Sequence, residues 1–450
     1  MISSNRIPWM FSLGTILLLA ACASAHEEDA APKGAAETPA PGKQTENHET
    51  QSEPLPIDPP PGPDDVVGVV RGRLGGPVPN AAIASGDAIT KTDAWGRFVL
   101  RNMPPKYDLQ CGIDGHGEVY YGLTTRTPTI SSEDNGWYNH APIHLDYSEA
   151  TSTYSRRLSF TVGDDGSTEN ILAPSAPPDA VDTTLYWAGP TPALTGTFFS
   201  LEHDQPASGP PTRYLGYAFA PMHMLPSNQE ATIFKPTYSP VTTTSTVTGV
   251  ARPAPGMGTY NTYLLVHFGG QYDIVNWDYP SHAVPAEFVV PEVPGASWAL
   301  QYQAYEGSLG FEGGNSSIVV PISADGSVPE VDIPVPPKII SPADGATDFG
   351  AGSEIAWEGG EGACTVTVFF RNVSWAIALT TLTSRITMPD LSAVGVPIAR
   401  RFRYSINVQC SQRANRAPDA DPLLDAVRYM SGQHNLGTAT RSRLISVTSP

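Results

Sequence analysis

Charge is scarce in this chain. Only 16% of its 450 residues are Asp, Glu, Lys or Arg, against roughly 25% in an average soluble domain. Helical bundles and coiled coils need charged outer faces and few helix breakers, so that class is excluded. Bases are the scarcer sign. Lys and Arg total 26 against 45 Asp and Glu, a net charge of −19, which argues against a broad nucleic-acid-binding role. Cysteine occurs four times, at Cys22, Cys111, Cys364 and Cys410, and never as C-x-x-C, so the spacing offers no zinc site. The signatures G-x-S-x-G, H-E-x-x-H, S-x-x-K and the P-loop are missing too, and no cofactor or metal is expected. Turn formers abound instead: 41 Gly and 45 Pro, about 19% of the chain against roughly 12% on average. The length suits about three domains of ~150 residues.

Arg6 is the only charge before the apolar stretch Phe11-Ser-Leu-Gly-Thr-Ile-Leu-Leu-Leu-Ala-Ala21. That stretch is too short to span a bilayer and has the length of a signal-peptide core. It ends in Leu19-Ala20-Ala21-Cys22, which resembles the lipobox of bacterial lipoproteins. The resemblance implies that residues 1–21 are removed and that Cys22 carries lipid on its sulfur and new amino group. Several acyl chains hold a protein on a bilayer where one binds marginally, so the membrane is the first expected partner. Position 23 is Ala and not Asp, which by the enterobacterial sorting rule points to the outer membrane. Residues 22–65 then read as a disordered linker. Ten acids stand there against Lys33 and Lys43, with nine prolines and few large apolar residues, so the segment cannot bury enough surface to offset its ordering entropy.

From Val66 the pattern becomes that of strands. Phe98 and Leu100 alternate with Arg97, Val99 and Arg101, and Tyr107, Leu109 and Cys111 alternate with Asp108 and Gln110, the period of half-buried strands. Gly76-Pro-Val-Pro-Asn-Ala81, Thr92-Asp-Ala-Trp-Gly-Arg-Phe-Val-Leu100 and Pro104 to Leu109 together resemble the carboxypeptidase regulatory-like family. The resemblance covers 66–145 and implies a small transthyretin-like sandwich without catalytic residues.

Short runs bounded by Gly, Pro, Asp or Ser continue through 146–336, among them Leu158–Val162, Thr197–Leu201, Tyr263–Phe268 and Trp298–Tyr302. Their spacing suits two further sandwiches, 146–243 and 244–336, with Val241–Thr248 as a linker or an edge strand. Residues 337–450 open with Ile339-Ile-Ser-Pro-Ala-Asp-Gly345 and Ser353-Glu-Ile-Ala-Trp357, which resemble the start of a fibronectin type III or Ig-like domain, core tryptophan included. The expected class is therefore all-β, a tandem of sandwiches. One helix is predicted, over Asp421–Met430, with Asp as cap, Pro422 at its first position and Gly432 after its end.

Two strand candidates in the last unit fix a register. Pairing Cys364–Phe370 antiparallel with Phe402–Cys410 so that Cys364 opposes Cys410 sorts Val366, Val368 and Phe370 with Val408, Ile406 and Tyr404 on one face. Thr365 and Thr367 then meet Gln409 and Asn407 on the other. A one-residue slip would destroy the sorting. In an exported chain thiols meet an oxidising compartment, so a Cys364–Cys410 disulfide is expected.

Few residues carry chemistry. Glu202-His203-Asp204 could ligate or act as a base but reads as a solvated loop, and Met222-His223-Met224 reads as packing. Tyr272, Trp277, Tyr279, Trp298, Tyr302 and Tyr305 crowd one stretch. Most such rings are core, but Trp277, Tyr279, Trp298 and Tyr302 could form a stacking platform for a glycan. The sequence thus points to a non-catalytic, membrane-anchored binding or scaffold protein with no nucleic-acid partner. Its partner would be an envelope protein or a glycan. A glycan-binding lipoprotein and an enzyme with a dispersed site are the alternatives.

Overall fold

The computed structural model describes residues 56–57, 59–72, 76–113, 115–132, 138–146, 156–163, 169–175, 180–188, 193–204, 210–225, 232–268, 271–275, 285–306, 313–370, 376–413 and 437–450. Cys22 and the predicted helix over 421–430 lie outside them. Among the described residues every regular element is a strand, apart from one 3-10 turn at Ser392–Val394.

The first unit holds β1 (Val66–Arg71), β2 (Ala82–Ser85), β3 (Ala88–Lys91), β4 (Arg97–Leu100), β5 (Tyr107–Ile113), β6 (His116–Leu123) and β7 (Thr129–Ser131). Strands β4-β1-β7 form one sheet and β3-β2-β5-β6 the facing layer. Val70, Phe98, Leu109, Tyr120 and Ile130 fill the core between them. The segments Gly76–Ala81 and Thr92–Leu100 are tied together by one side chain. Thr92 Oγ1 donates to the Val78 carbonyl at 2.7 Å and accepts from the Ala81 N–H at 2.8 Å. Next to it Asp93 Oδ1 accepts from the N–H groups of Trp95 and Arg97, and Gly96 supplies the positive φ of 72° that closes the turn.

The second unit holds β8 (Tyr138–Asp146), β9 (Arg156–Gly163), β10 (Glu169–Ser175), β11 (Ala180–Ala188), β12 (Leu194–His203), β13 (Tyr214–Met224), β14 (Thr232–Phe234) and β15 (Ser239–Pro240). Strand β8 pairs with β11 along its whole length, so hydrogen bonding runs across position 145. Sheet β11-β8-β14 faces sheet β10-β9-β12-β13-β15 over a core of Ile143, Leu185, Trp187, Phe198 and Met222.

The third unit holds β16 (Thr244–Gly249), β17 (Ala251–Arg252), β18 (Met257–Phe268), β19 (Gln271–Ile274), β20 (Ala286–Pro291), β21 (Ser297–Glu306), β22 (Asn315–Pro321) and β23 (Val331–Asp332). The Thr-rich stretch before Gly249 is a strand, paired with β20. Phe199, Leu201 and Tyr214 of the second unit enter the core of the third beside Val266, Phe288, Trp298 and Tyr302. The contact includes Phe199 stacked on Phe268 at 5.3 Å and Tyr214 edge-on to Trp298 at 6.4 Å.

The last unit holds β24 (Lys338–Ser341), β25 (Glu354–Glu358), β26 (Ala363–Phe370), β27 (Ala376–Thr381), β28 (Arg385–Thr387), β29 (Arg403–Arg413), β30 (Gly437–Arg441) and β31 (Ile445–Thr448). Sheet β24-β25-β28 closes over a core containing Phe349, Trp357, Val366, Val368, Tyr404 and Val408. The expected register between β26 and β29 is the one found: Cys364 opposes Cys410, Val366 opposes Val408, Val368 opposes Ile406 and Phe370 opposes Tyr404. The Cys364–Cys410 disulfide is formed, with the Cα atoms 4.0 Å apart. Arg371, which this register would set opposite Arg403, lies outside the described residues.

These units are not beads on a string. A thirteen-stranded sheet runs in the order β19-β18-β21-β22-β30-β29-β26-β27-β6-β5-β2-β3, with β31 also on β29. The last unit therefore sits between the third and the first. Strand β30 pairs antiparallel with β22, and β27 pairs parallel with β6. On the first-unit side both faces of this sheet are buried. Ile83, Cys111 and Tyr120 face the first core, while Ala84 and Val119 face the last. Glycine makes that second contact possible. A Cβ on Gly112 would collide with the Val394 carbonyl oxygen and stand 2.9 Å from Val394 Cβ, and one on Gly117 would stand 2.9 Å from Leu391 Cδ1.

Candidate binding surface

Strand β21, Ser297-Trp-Ala-Leu-Gln-Tyr-Gln-Ala-Tyr-Glu306, sends successive side chains to opposite faces. Trp298, Leu300, Tyr302 and Ala304 point into the core of the third unit. Trp298 is 8% exposed and Tyr302 1%. Of the two readings the sequence left for these rings, the structure bears out core: both are interior, and the alternative of a stacking platform is lost at these two positions. The Tyr302 hydroxyl lies over Gly249, where a Cβ would collide with it. It finds no hydrogen-bond partner, and burial pushes its pKa up. Trp277 and Tyr279, the other two residues of that possible platform, lie outside the described residues.

The opposite face is a second buried one, where amides and hydroxyls stand beside an apolar cluster of Tyr263, Leu265, Ile274, Ala299 and Val319. Asn261 and Tyr263 come from β18, Gln301, Gln303 and Tyr305 from β21, and Asn315 and Ser317 from β22. Register places Asn261 opposite Gln303, Tyr263 opposite Gln301 and Tyr305 opposite Asn315. The row continues across β30 and β29 through Arg441 and Gln409. Asn261 Nδ2 donates to the Tyr263 hydroxyl at 3.1 Å, and the Tyr305 hydroxyl donates to Gln303 Oε1 at 2.7 Å. With its amide turned so that the oxygen faces the guanidinium, Asn315 accepts from Arg441 Nη2 and Nε at 2.8 and 3.1 Å. Burial pulls the Arg441 pKa down, partly offset by Tyr305. Asn261 is 2% and Gln301 4% exposed, yet Asn261 Oδ1 and Gln301 Oε1 have no partner. Gln303, Tyr305 and Asn315 are half-buried and form the border of the patch.

The remaining candidates resolve as structure. Glu202 and His203 are buried, at 0% and 4% exposure, which corrects their reading as a solvated loop. They finish β12, which is paired on both sides by β9 and β13. His203 Nδ1 donates to the Asp204 carbonyl at 2.7 Å. Asp204 in turn accepts from the Thr212 and Arg213 N–H groups and the Thr212 hydroxyl. Met222 and Met224 point into the second core, as expected for packing. Cys111 is a buried free thiol opposite Glu118. Burial, with the Glu118 carboxylate adding to it, pushes its pKa well up and suppresses the thiolate. Glu118 accepts from the Tyr120 hydroxyl at 2.9 Å. Among the described residues no three His, Cys, Asp or Glu side chains gather as a metal site would require.

The linker enters the fold at a defined point. Asp65 accepts from the Asn102 and Gly62 N–H groups and pairs with Arg101 at 2.7 Å. Those three interactions, in that order, hold its pKa down to about 2. Arg101 also donates to the Pro59 and Pro60 carbonyls. This end of the segment expected to be disordered is thus bound to the first sandwich. Sequence reasoning missed it, though Asp65 directly preceding the first Val run was the available signal.

No known protein family matches the chain, and no curated protein does. Among solved structures the chain is similar to the Bacillus anthracis TIE protein, with 12% identity over 60% of this chain and 49% of that one and a TM-score of 0.15. It is also similar to the four N-terminal Ig domains of Dscam1 isoform 4.44, with 10% identity over 86% and 98% and a TM-score of 0.14. The chain spans about half the length of the first. At such scores these likenesses carry no inference, and the all-β assignment rests on the strands themselves.

Proposed function

We propose that the protein is a non-catalytic lipoprotein of the bacterial outer membrane, held by lipid on Cys22, whose folded part is a binding or scaffold module. One observation carries the scaffold reading: a single sheet joins the first, last and third units through β6–β27 and β22–β30. Units so joined hold their surfaces in fixed relation, which a chain of flexibly linked sandwiches would not. The acidic segment before Pro59 then serves as a tether, with the Asp65–Arg101 pair fixing where it meets the rigid part. Burial of Trp298 and Tyr302 speaks against an aromatic glycan platform at those positions.

Two measurements test the reading. Metabolic labelling with a fatty-acid analogue should mark the wild type and leave Cys22→Ala unlabelled and unprocessed at residue 22. Label persisting in the mutant overturns the anchor. Crosslinking in intact envelopes followed by purification should recover a defined envelope component, enriched over a control lipoprotein that carries the same signal peptide. Recovery of nothing beyond the control overturns the binding role.

A further inference from the structure

The thirteen-stranded sheet ends on β3, which pairs with β2 alone. One bond fixes which way its backbone groups point. The Thr92 N–H donates to the Ala81 carbonyl, in register with the β2–β3 ladder, and bonded and non-bonded residues alternate along an antiparallel pair. Ala88 and Thr90 therefore turn their N–H and C=O groups toward β2. Ile89 and Lys91 turn theirs outward, to an edge that no described strand covers. Side chains alternate as well. Ala88 and Thr90 are half-buried, while Asp87, Ile89 and Lys91 are exposed, Ile89 at 61%.

Natural sheet edges are blunted with prolines, bulges and charges. This one carries an exposed, β-branched apolar side chain at its middle, and its charges are placed symmetrically about that residue. Asp87 stands two positions before Ile89, in the turn that enters β3, and Lys91 two positions after it. A two-fold axis through Ile89 sets it opposite Ile89 of a second copy and brings each Asp87 across from a Lys91. Such an exchange of unlike residues is what a self-complementary two-fold contact requires. A parallel arrangement would set Asp87 beside Asp87 and Lys91 beside Lys91, which is unfavourable. The edge thus matches itself in one direction.

We infer that two copies of this chain join through β3, edge to edge and antiparallel, so that their two large sheets become one. The Ile89 N–H and C=O groups bond those of Ile89 in the second copy, the two apolar side chains pack together, and each Asp87 meets a Lys91. A ladder of four residues on each side buries little surface, so the dimer is reversible and is favoured where copies meet at raised local concentration. That favouring rests on the lipid anchor proposed above, whereas the pairing is independent of any binding role.

The test places Ile89→Cys in the full chain and oxidises intact envelopes. Opposed residues of a bonded antiparallel pair stand ~5.5 Å apart at Cα, within disulfide reach. A disulfide-linked species with the mass of two copies should form, and Thr347→Cys, exposed in the last unit, should give almost none. In the Ile89→Cys chain, Asp87→Lys or Lys91→Asp should each cut the yield about fivefold, because like charges then face each other twice. Both changes together should restore it, with yields normalised to the rate at which a maleimide labels the same thiol. All four positions are exposed, so the melting midpoint should not move. A linked species containing a different protein would overturn the second copy as occupant. A double change that fails to restore the yield would overturn the two-fold register. Absence of the dimer while Cys22 carries fatty-acid label would overturn the pairing and leave the anchor standing. If Cys22 carries no label, the same series on the purified chain at high concentration decides, and absence of the dimer there overturns the pairing as well.

Discussion

Gly112 offers a direct test of whether the first and last units form one packed body. It lies in β5, which belongs to the first sandwich, yet its Cα faces the turn at Ser392–Val394 of the last unit. Adding a methyl there meets the Val394 carbonyl oxygen and, at 2.9 Å, Val394 Cβ. A backbone carbonyl cannot rotate away like the end of a side chain, so the turn itself must move. Overpacking a well-filled site costs about 1–3 kcal/mol, and a contact with backbone places Gly112→Ala near ~3 kcal/mol. Gly117→Ala meets the flexible Leu391 Cδ1 and Val396 Cγ1 at 2.9 and 3.3 Å, which sets it lower, about 1 kcal/mol. Gly350 has nothing within 4 Å, so Gly350→Ala is the control, within about 0.5 kcal/mol of wild type. Native-state hydrogen exchange reads the outcome. In Gly112→Ala, amides of β6 and β27 should lose protection together, because they share the parallel ladder Ile377–Gly117 to Thr380–Tyr120. The order Gly112 over Gly117 over Gly350 is the prediction. Gly112→Ala indistinguishable from Gly350→Ala would refute the packing argument.

The Cys364–Cys410 bridge closes a separation of 46 residues, for which the chain-entropy relation gives about 4 kcal/mol. The Cys364→Ala/Cys410→Ala chain should unfold its last unit at correspondingly lower denaturant, and non-reducing peptide mapping of the wild type should find no alkylatable Cys364. The Asp65 pKa is lowered from 3.8 to about 2, so the docking it provides is complete above pH ~4 and lost as pH falls toward 2. Protease-accessible backbone at 59–65 should therefore appear only in strong acid, and at neutral pH in Asp65→Asn. Mild proteolysis of the wild type at neutral pH should cut within 23–58 well before any later position. A first stable fragment that retains the acidic segment would show that it docks on the folded part.

How much could be read from the sequence depended on the range of the interaction. The two turns of the first unit are local, and Thr92, Asp93 and Gly96 hold them with bonds to residues near in sequence. The β26–β29 register spans 46 residues but was legible because one apolar–polar alternation sorts only in that pairing. The parallel β6–β27 contact joins residues some 260 apart. Neither strand carries a mark that distinguishes its edge from many others, and Gly112 and Gly117, whose lack of a side chain permits the contact, do not name a partner in sequence. The burial of Trp298 and Tyr302 was legible. Trp-x-Leu-x-Tyr-x-Ala puts both rings on the apolar side and Gln301 and Gln303 on the other. Glu202 and His203 failed for a different reason: their burial comes from neighbouring strands and from Tyr214, whose ring lies 6.1 Å from His203.

The seating of the last unit between the first and the third has a consequence in time. A chain is made and exported from its beginning, so β6 and β22 exist long before β27 and β30. Until residues 376–441 arrive, each presents a bare row of N–H and C=O groups, the kind of edge that recruits other chains. The final quarter of the molecule is thus the wedge that shuts both exposures at once. A chain stalled or truncated before residue 376 would carry two adhesive edges on otherwise finished sandwiches, and its fate would be to pair with its own copies.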